Sequence, residues 1–171
     1  SAGRPWRIRG SVHEWFTRGL IAVFLLDSNI YIRAFREPVF GRELQDFHRA
    51  HLPQLVLSAV VASELLVAAQ TPARERAFRR GLLQPFQTRR RLHTPAWSTW
   101  ELATAIDRRI RQRPATRSHL QQRSFFHDIL IAASARELGA TIVTLNTSDF
   151  TLIGRHVDIK HVEPWPLPDN K

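Results

Sequence analysis

Four acidic residues sit in stretches that give a carboxylate little obvious company. Asp27 ends the apolar run 21–26, Glu64 follows the β-branched run 55–61, Asp128 interrupts the apolar stretch 124–139, and Asp149 closes the polar cluster after 140–145. Carboxylates gathered in one pocket repel, and at neutral pH they need a cation or extra protons. Oxygen-only ligation selects Mg²⁺ or Mn²⁺ over zinc. Such ions activate water and stabilise a leaving oxygen, which is the chemistry of phosphodiester hydrolysis. The chain has no cysteine and no His-x-His or HExxH pair, and His127 reads as a surface helix residue rather than a ligand. Each acid also has a plainer reading. Asp27 suits a helix N-cap, Glu64 a dipole-favoured first turn, Asp149 a turn, and Asp128 a buried salt bridge to an arginine.

The elements around these acids decide whether they can meet. Residues 21–26 read as a strand buried on both faces, and 28–36 as a short helix stopped near Pro38. Residues 39–51 form a second helix with Val39, Phe40, Leu44 and Phe47 on one side. A strand is expected over 55–61, then a helix over 62–70 with Glu64 in its first turn. Residues 73–91 read as a basic helix pair interrupted near Pro85 and ending in Arg89-Arg90-Arg91, either a solvated helix end or a phosphate contact. A short edge strand at 92–95 precedes an amphipathic helix over 97–112, on which Trp100, Ala103, Ile106 and Ile110 recur at helical spacing. Trp97 and Trp100 read as core or partner-facing. After a polar stretch at 113–123, residues 124–139 form a helix capped by Ser124 and stopped by Gly139, with Phe125, Ile129, Ala132 and Ala133 inward. Strands follow at 140–145 and 157–162, with a helix or turn at 150–154. Alternating strands and helices argue for a parallel sheet with one carboxyl edge, where ligands gather.

The bulk properties fit this frame. At 171 residues with 43% hydrophobic content, the chain suits one domain with a real core. No apolar run approaches the roughly 20 residues that span a bilayer. The first twenty residues are polar and Arg-bearing, without a secretory core, so a cytoplasmic location is expected. The formal charge is +10, and all but two of the 25 basic residues are arginines. Arginine grips phosphate bidentately and stacks on bases, which favours a nucleic-acid partner. A GC-rich coding sequence gives the same bias.

The order LLDSN, then ASELL, then HDILIAASARELGATIVTLNTSDF resembles the PIN-domain ribonucleases, especially VapC-type toxins of bacterial toxin–antitoxin pairs. The resemblance covers about 23–164, leaving a basic arm at 1–20 and a tail at 166–171 outside a nuclease domain at 21–165. It implies a three-layer α/β/α sandwich with a mainly parallel sheet. It also implies Mg²⁺- or Mn²⁺-dependent endoribonuclease activity on RNA, frequent homodimers, and inhibition by a cognate antitoxin that inserts a segment near the acidic pocket. Residue by residue, Asp27, Glu64 and Asp128 match the family's metal-binding acids, and Asp149 the fourth. Ser28, Asn29 and Asn146 are then polar residues that shape the site from behind. Ser28 stands where threonine is more usual and keeps the hydroxyl. Two other readings remain: a catalytically silent PIN-fold module that binds RNA or protein, and a small-molecule phosphatase, whose Asp-x-Asp pattern fails at Asn29.

Overall fold

The structure is a computed structural model and describes residues 22–112 and 123–165. The arm expected at 1–20, the tail at 166–171 and most of the polar stretch at 113–123 lie outside those residues, as does the side chain of Ser124. The chain runs β1 (Val23–Leu26), α1 (Ser28–Arg36), α2 (Pro38–His51), a 3₁₀ turn, β2 (Leu55–Ser58) and α3 (Ala59–Ala68). It continues through α4 (Pro72–Phe78), a π turn (Arg79–Leu83), α5 (Gln84–Thr88), β3 (Leu92–His93) and α6 (Trp97–Arg111). It then adds α7 (Arg123–Leu138), β4 (Ala140–Val143), α8 (Thr147–Gly154) and β5 (Lys160–Val162).

The five strands form one sheet in the order β3-β2-β1-β4-β5, and every pairing is parallel. With helices packed around it this is the expected α/β/α sandwich. β1 is earliest in sequence and central in space. The chain builds outward from it to β2 and β3, then returns to add β4 on its other side. That reversal between β1 and β4 is the topological switch point, where the crossovers diverge and leave a crevice at the strands' carboxyl ends. Leu25, Leu26, Leu57, Ile142 and Val143 are fully or almost fully buried along the sheet. Each such side chain contributes about 1.5–3 kcal/mol of burial, so the crevice has a firm floor.

Several elements differ from the sequence reading for local reasons. β2 ends at Ser58, not at residue 61, because the Ser58 hydroxyl accepts from Val60 N at 3.1 Å and starts α3 there. A good cap overrides the β preference of Val60 and Val61. Glu64 therefore lies in the second turn of α3. The break expected near Pro85 takes the form of the π turn just before it, since Pro85 has no N–H to return to the carbonyl of Gly81. On α6 the buried face is Thr99, Ala103, Ile106 and Ile110. Trp100 is 40% exposed and Trp97 74%, so neither belongs to the core, and Val39 also faces outward. Gly139, at φ 60°, ends α7 in the left-handed conformation that glycine tolerates best. Arg89 and Arg91 donate to the carbonyls of Pro85 and Leu52, which favours the structural reading of that triplet.

Candidate active site

The sheet's switch point brings Asp27 to the first residue past β1, where its N–H donates to Val143 O of β4 at 3.0 Å. Its side chain is buried. Oδ1 accepts from the Ser28 backbone N–H at 2.7 Å and so caps α1. The Ser28 hydroxyl stands 3.5 Å from the same oxygen. Oδ2 accepts from Asn29 Nδ2 and from Thr144 Oγ1, both at 2.7 Å. The two readings of Asp27 thus hold together: it caps a helix and it remains a buried carboxyl group at the crevice.

Thr144 is the residue that sequence reasoning missed. Its fully buried hydroxyl donates to Asp27 and accepts from Asn29 Nδ2 at 3.2 Å and from the Asn146 N–H at 2.9 Å. One donor and two acceptor positions are all that a hydroxyl has, so the group is saturated. Asn29 closes the loop by accepting from the Leu145 N–H at 3.2 Å. The carboxyl ends of β1 and β4 are therefore tied by side chains as well as by the ladder. The one hint in the sequence was a polar residue inside the run 140–145, at the position facing the end of β1.

Asp128 lies in the second turn of α7 and is buried. Asn146 Nδ2 reaches its Oδ2 at 3.3 Å and Asp149 Oδ2 at 2.7 Å, bridging the two acids. Among the described residues no arginine or lysine pairs with Asp27 or Asp128, so the salt-bridge reading of Asp128 fails there. The electrostatics follow from that. Burial pushes Asp128 up to about 8, and the charges of Asp27, Asp149 and Glu64 add to the rise, against the Asn146 hydrogen bond. Burial also raises Asp27, to about 6, with a smaller contribution from Glu64, while its bonds from Thr144 and Ser28 hold it down. Asp128 thus lies within electrostatic reach of the other three acids, and Asp27 within reach of Glu64.

Glu64 reaches this cluster from α3. Its Oε1 lies 2.8 Å from Nδ1 of His127, and its Oε2 is buried without a hydrogen-bond partner among the described residues. The expectation for His127 was half right: its side chain is 40% exposed, but it engages an acid of the site. An orphaned buried carboxyl oxygen costs on the order of 1–3 kcal/mol or more unless something compensates it. That oxygen, an all-oxygen donor set and two carboxyl groups with raised proton affinity fit a hard divalent cation. Among the described residues, no three His, Asp or Glu side chains yet stand in ligating geometry around one point. A separate groove of about 530 Å³ opens beside α1, α2 and α4, lined by Tyr31, Phe35, Leu44, His48, Phe78 and Leu82 among others. None of the four acids lines it.

The comparisons with known proteins agree with this fold. No curated protein matches the chain at a significant level. Among solved structures, DNA-bound VapBC from Salmonella typhimurium is 19% identical with a TM-score of 0.61, over 84% of this chain and 98% of that one. FitAcB from Neisseria gonorrhoeae is 22% identical with a TM-score of 0.58, over 85% and 100%. FitAB bound to a DNA fragment is 20% identical with a TM-score of 0.60, over 87% and 100%. At these identities the likeness is one of fold. The PIN-domain family model matches residues 24–155, most of the length of the sequence, so the chain belongs to the PIN-domain family.

Proposed function

We propose that the chain is a divalent-metal-dependent endoribonuclease and the toxin of a toxin–antitoxin pair. The observation that carries this is the burial of Asp27 and Asp128, with Asn146 bridging Asp128 to Asp149 and no arginine or lysine among the described residues paired with Asp27 or Asp128. Asp27 and Asp128 would hold Mg²⁺ or Mn²⁺, with Glu64 Oε2 and Asp149 completing an oxygen donor set. A bound ion supplies an activated water and stabilisation of the leaving oxygen. The chain's own residues do the rest. Thr144, Asn29 and Ser28 hold Asp27 at a fixed orientation from behind. Asn146 keeps Asp128 and Asp149 at a common spacing. The basic chain, net +10 over its whole sequence, draws a phosphate backbone toward an otherwise acidic crevice. Single-stranded RNA suits such a crevice because its bases can splay away from a helix.

Nuclease chemistry is the general activity of PIN domains, and the solved VapBC and FitAB complexes that share this fold support a cognate antitoxin partner. A homodimer and a cytoplasmic setting belong to the same proposal; among the described residues no helix is long and apolar enough to cross a membrane. The test is cleavage of total RNA by the purified chain with Mg²⁺ or Mn²⁺ and with EDTA. Cleavage that EDTA stops, and that Asp27→Asn and Asp128→Asn each remove, supports the proposal. Undiminished cleavage by both variants overturns it. The silent-module reading draws on the lack, among the described residues, of three His, Asp or Glu side chains in ligating geometry, and it requires that Mn²⁺ leave the melting temperature unchanged.

A further inference from the structure

Glu64 and His127 lie 63 residues apart and meet only because α3 and α7 pack together. A carboxylate can only accept, so Nδ1 of His127 donates to Glu64 Oε1. This leaves Oε2 buried and without a partner among the described residues. We propose that His127 is the positioning residue of the acidic centre: it takes one oxygen of Glu64 and leaves the other turned over to the cation. The proposal rests on the divalent-ion reading above and goes beyond it, because it assigns a role to a residue outside the acid set.

The choice of side chain matters. A free Glu has three rotatable bonds, and fixing it costs about 1.5–2 kcal/mol of side-chain entropy. One hydrogen bond to a rigid ring meets that cost in advance of ion binding. An arginine in the same place would grip both carboxylate oxygens in a bidentate fork and occupy the oxygen that is needed. An imidazole presents a single donor on the facing side and cannot. His127 also precedes Asp128 on the same helix. One placement of α7 therefore delivers an acid to the centre and a tether to the acid opposite.

Melting of the full chain across a Mn²⁺ titration tests this without recourse to activity. Four proteins are needed: the wild type, His127→Ala, His127→Asn and Glu64→Gln. His127→Ala is expected to raise the half-saturating Mn²⁺ concentration about tenfold, while its melting temperature without metal stays close to wild type, since the side chain is 40% exposed. His127→Asn, whose amide nitrogen can sit where Nδ1 sits, should restore binding to within about threefold. Joining His127→Ala to Glu64→Gln should weaken binding no further than Glu64→Gln alone, because the two act through one oxygen. An unchanged midpoint in His127→Ala, or fully additive losses in the double variant, overturns the positioning role and leaves the nuclease reading standing. A wild type that does not respond to Mn²⁺ overturns both.

Discussion

Two parts of this molecule keep ionisable groups out of water, and they do it differently. In the groove beside α1 and α2, burial alone raises the Tyr31 hydroxyl above its usual range and pushes His48 down to about 4. Among the described residues no charged neighbour contributes to either shift. The rings pack edge to face, Tyr31 on His48 at 5.9 Å and His48 on Phe86 at 6.2 Å between centroids. The groups are simply held neutral. Among the described residues each region also holds one buried atom without a hydrogen-bond partner, Nε2 of His48 and Oε2 of Glu64, but at the carboxyl edge burial is joined by repulsion among the acids themselves. A folded chain gains nothing from crowding like charges unless something of opposite sign resolves the conflict. His48 shows burial that tolerates an ionisable group; Asp128 shows burial that calls for a ligand.

The contrast breaks most plainly on catalysis. Asp128→Asn is expected to lower RNA cleavage by at least about a hundredfold, measured under Mn²⁺ saturation, whereas His48→Phe should leave it unchanged. Equal losses from both would erase the distinction. Thr144→Val is next in size. It strips Asp27 of a donor and strands two more donors at Asn29 and Asn146, and should cost about 1–3 kcal/mol. Calorimetry should read that as a melting temperature lower by about 3–8 °C.

The pH response sharpens the comparison further. Folding raises the Asp128 pKa from its ordinary value to about 8, so its contribution is complete below about pH 4 and is lost as pH rises through 8. Without metal, Asp128→Asn and the wild type should melt alike near pH 4, and the variant should melt several degrees higher above pH 8. Saturating Mn²⁺ should remove that advantage by stabilising the wild type. His48 runs the other way and more weakly. Its pKa is lowered to about 4, so its contribution is present above about pH 6.5 and lost as pH falls through 4. His48→Phe, which keeps an aromatic ring, should gain a few degrees between pH 4 and 5 and nothing at pH 8.

The sequence reached the carboxyl edge by pattern and missed what pattern cannot carry. The run ending at Asp27 was legible because a strand buried on both faces admits no polar residue until it ends. Asp128 was legible because it breaks a helix otherwise apolar on its inward face. Helix α1 was read with its observed bounds, since Asp27 and Pro38 mark both ends. The start of α3 was misplaced because Val60 and Val61 favour a strand, and one hydroxyl at Ser58 outweighed them. Thr144 and His127 were not legible as partners. Their roles depend on contacts spanning 117 and 63 residues, and nothing local marks a threonine or histidine that will be met so far away. Trp100 misled because its spacing on α6 matches the buried face, although the ring leans on Phe126 at 6.2 Å from the outer side.

The side-chain tie between the first strand and the fourth has a consequence for synthesis. Asp27 leaves the ribosome 117 residues ahead of its partner Thr144, and the bridging Asn146 follows later still. A nascent polypeptide therefore carries Asp27, Glu64 and Asp128 before the residues that tie their elements together. An enzyme with the activity proposed here would be harmless to the message encoding it until β4 and the residues after it have been made.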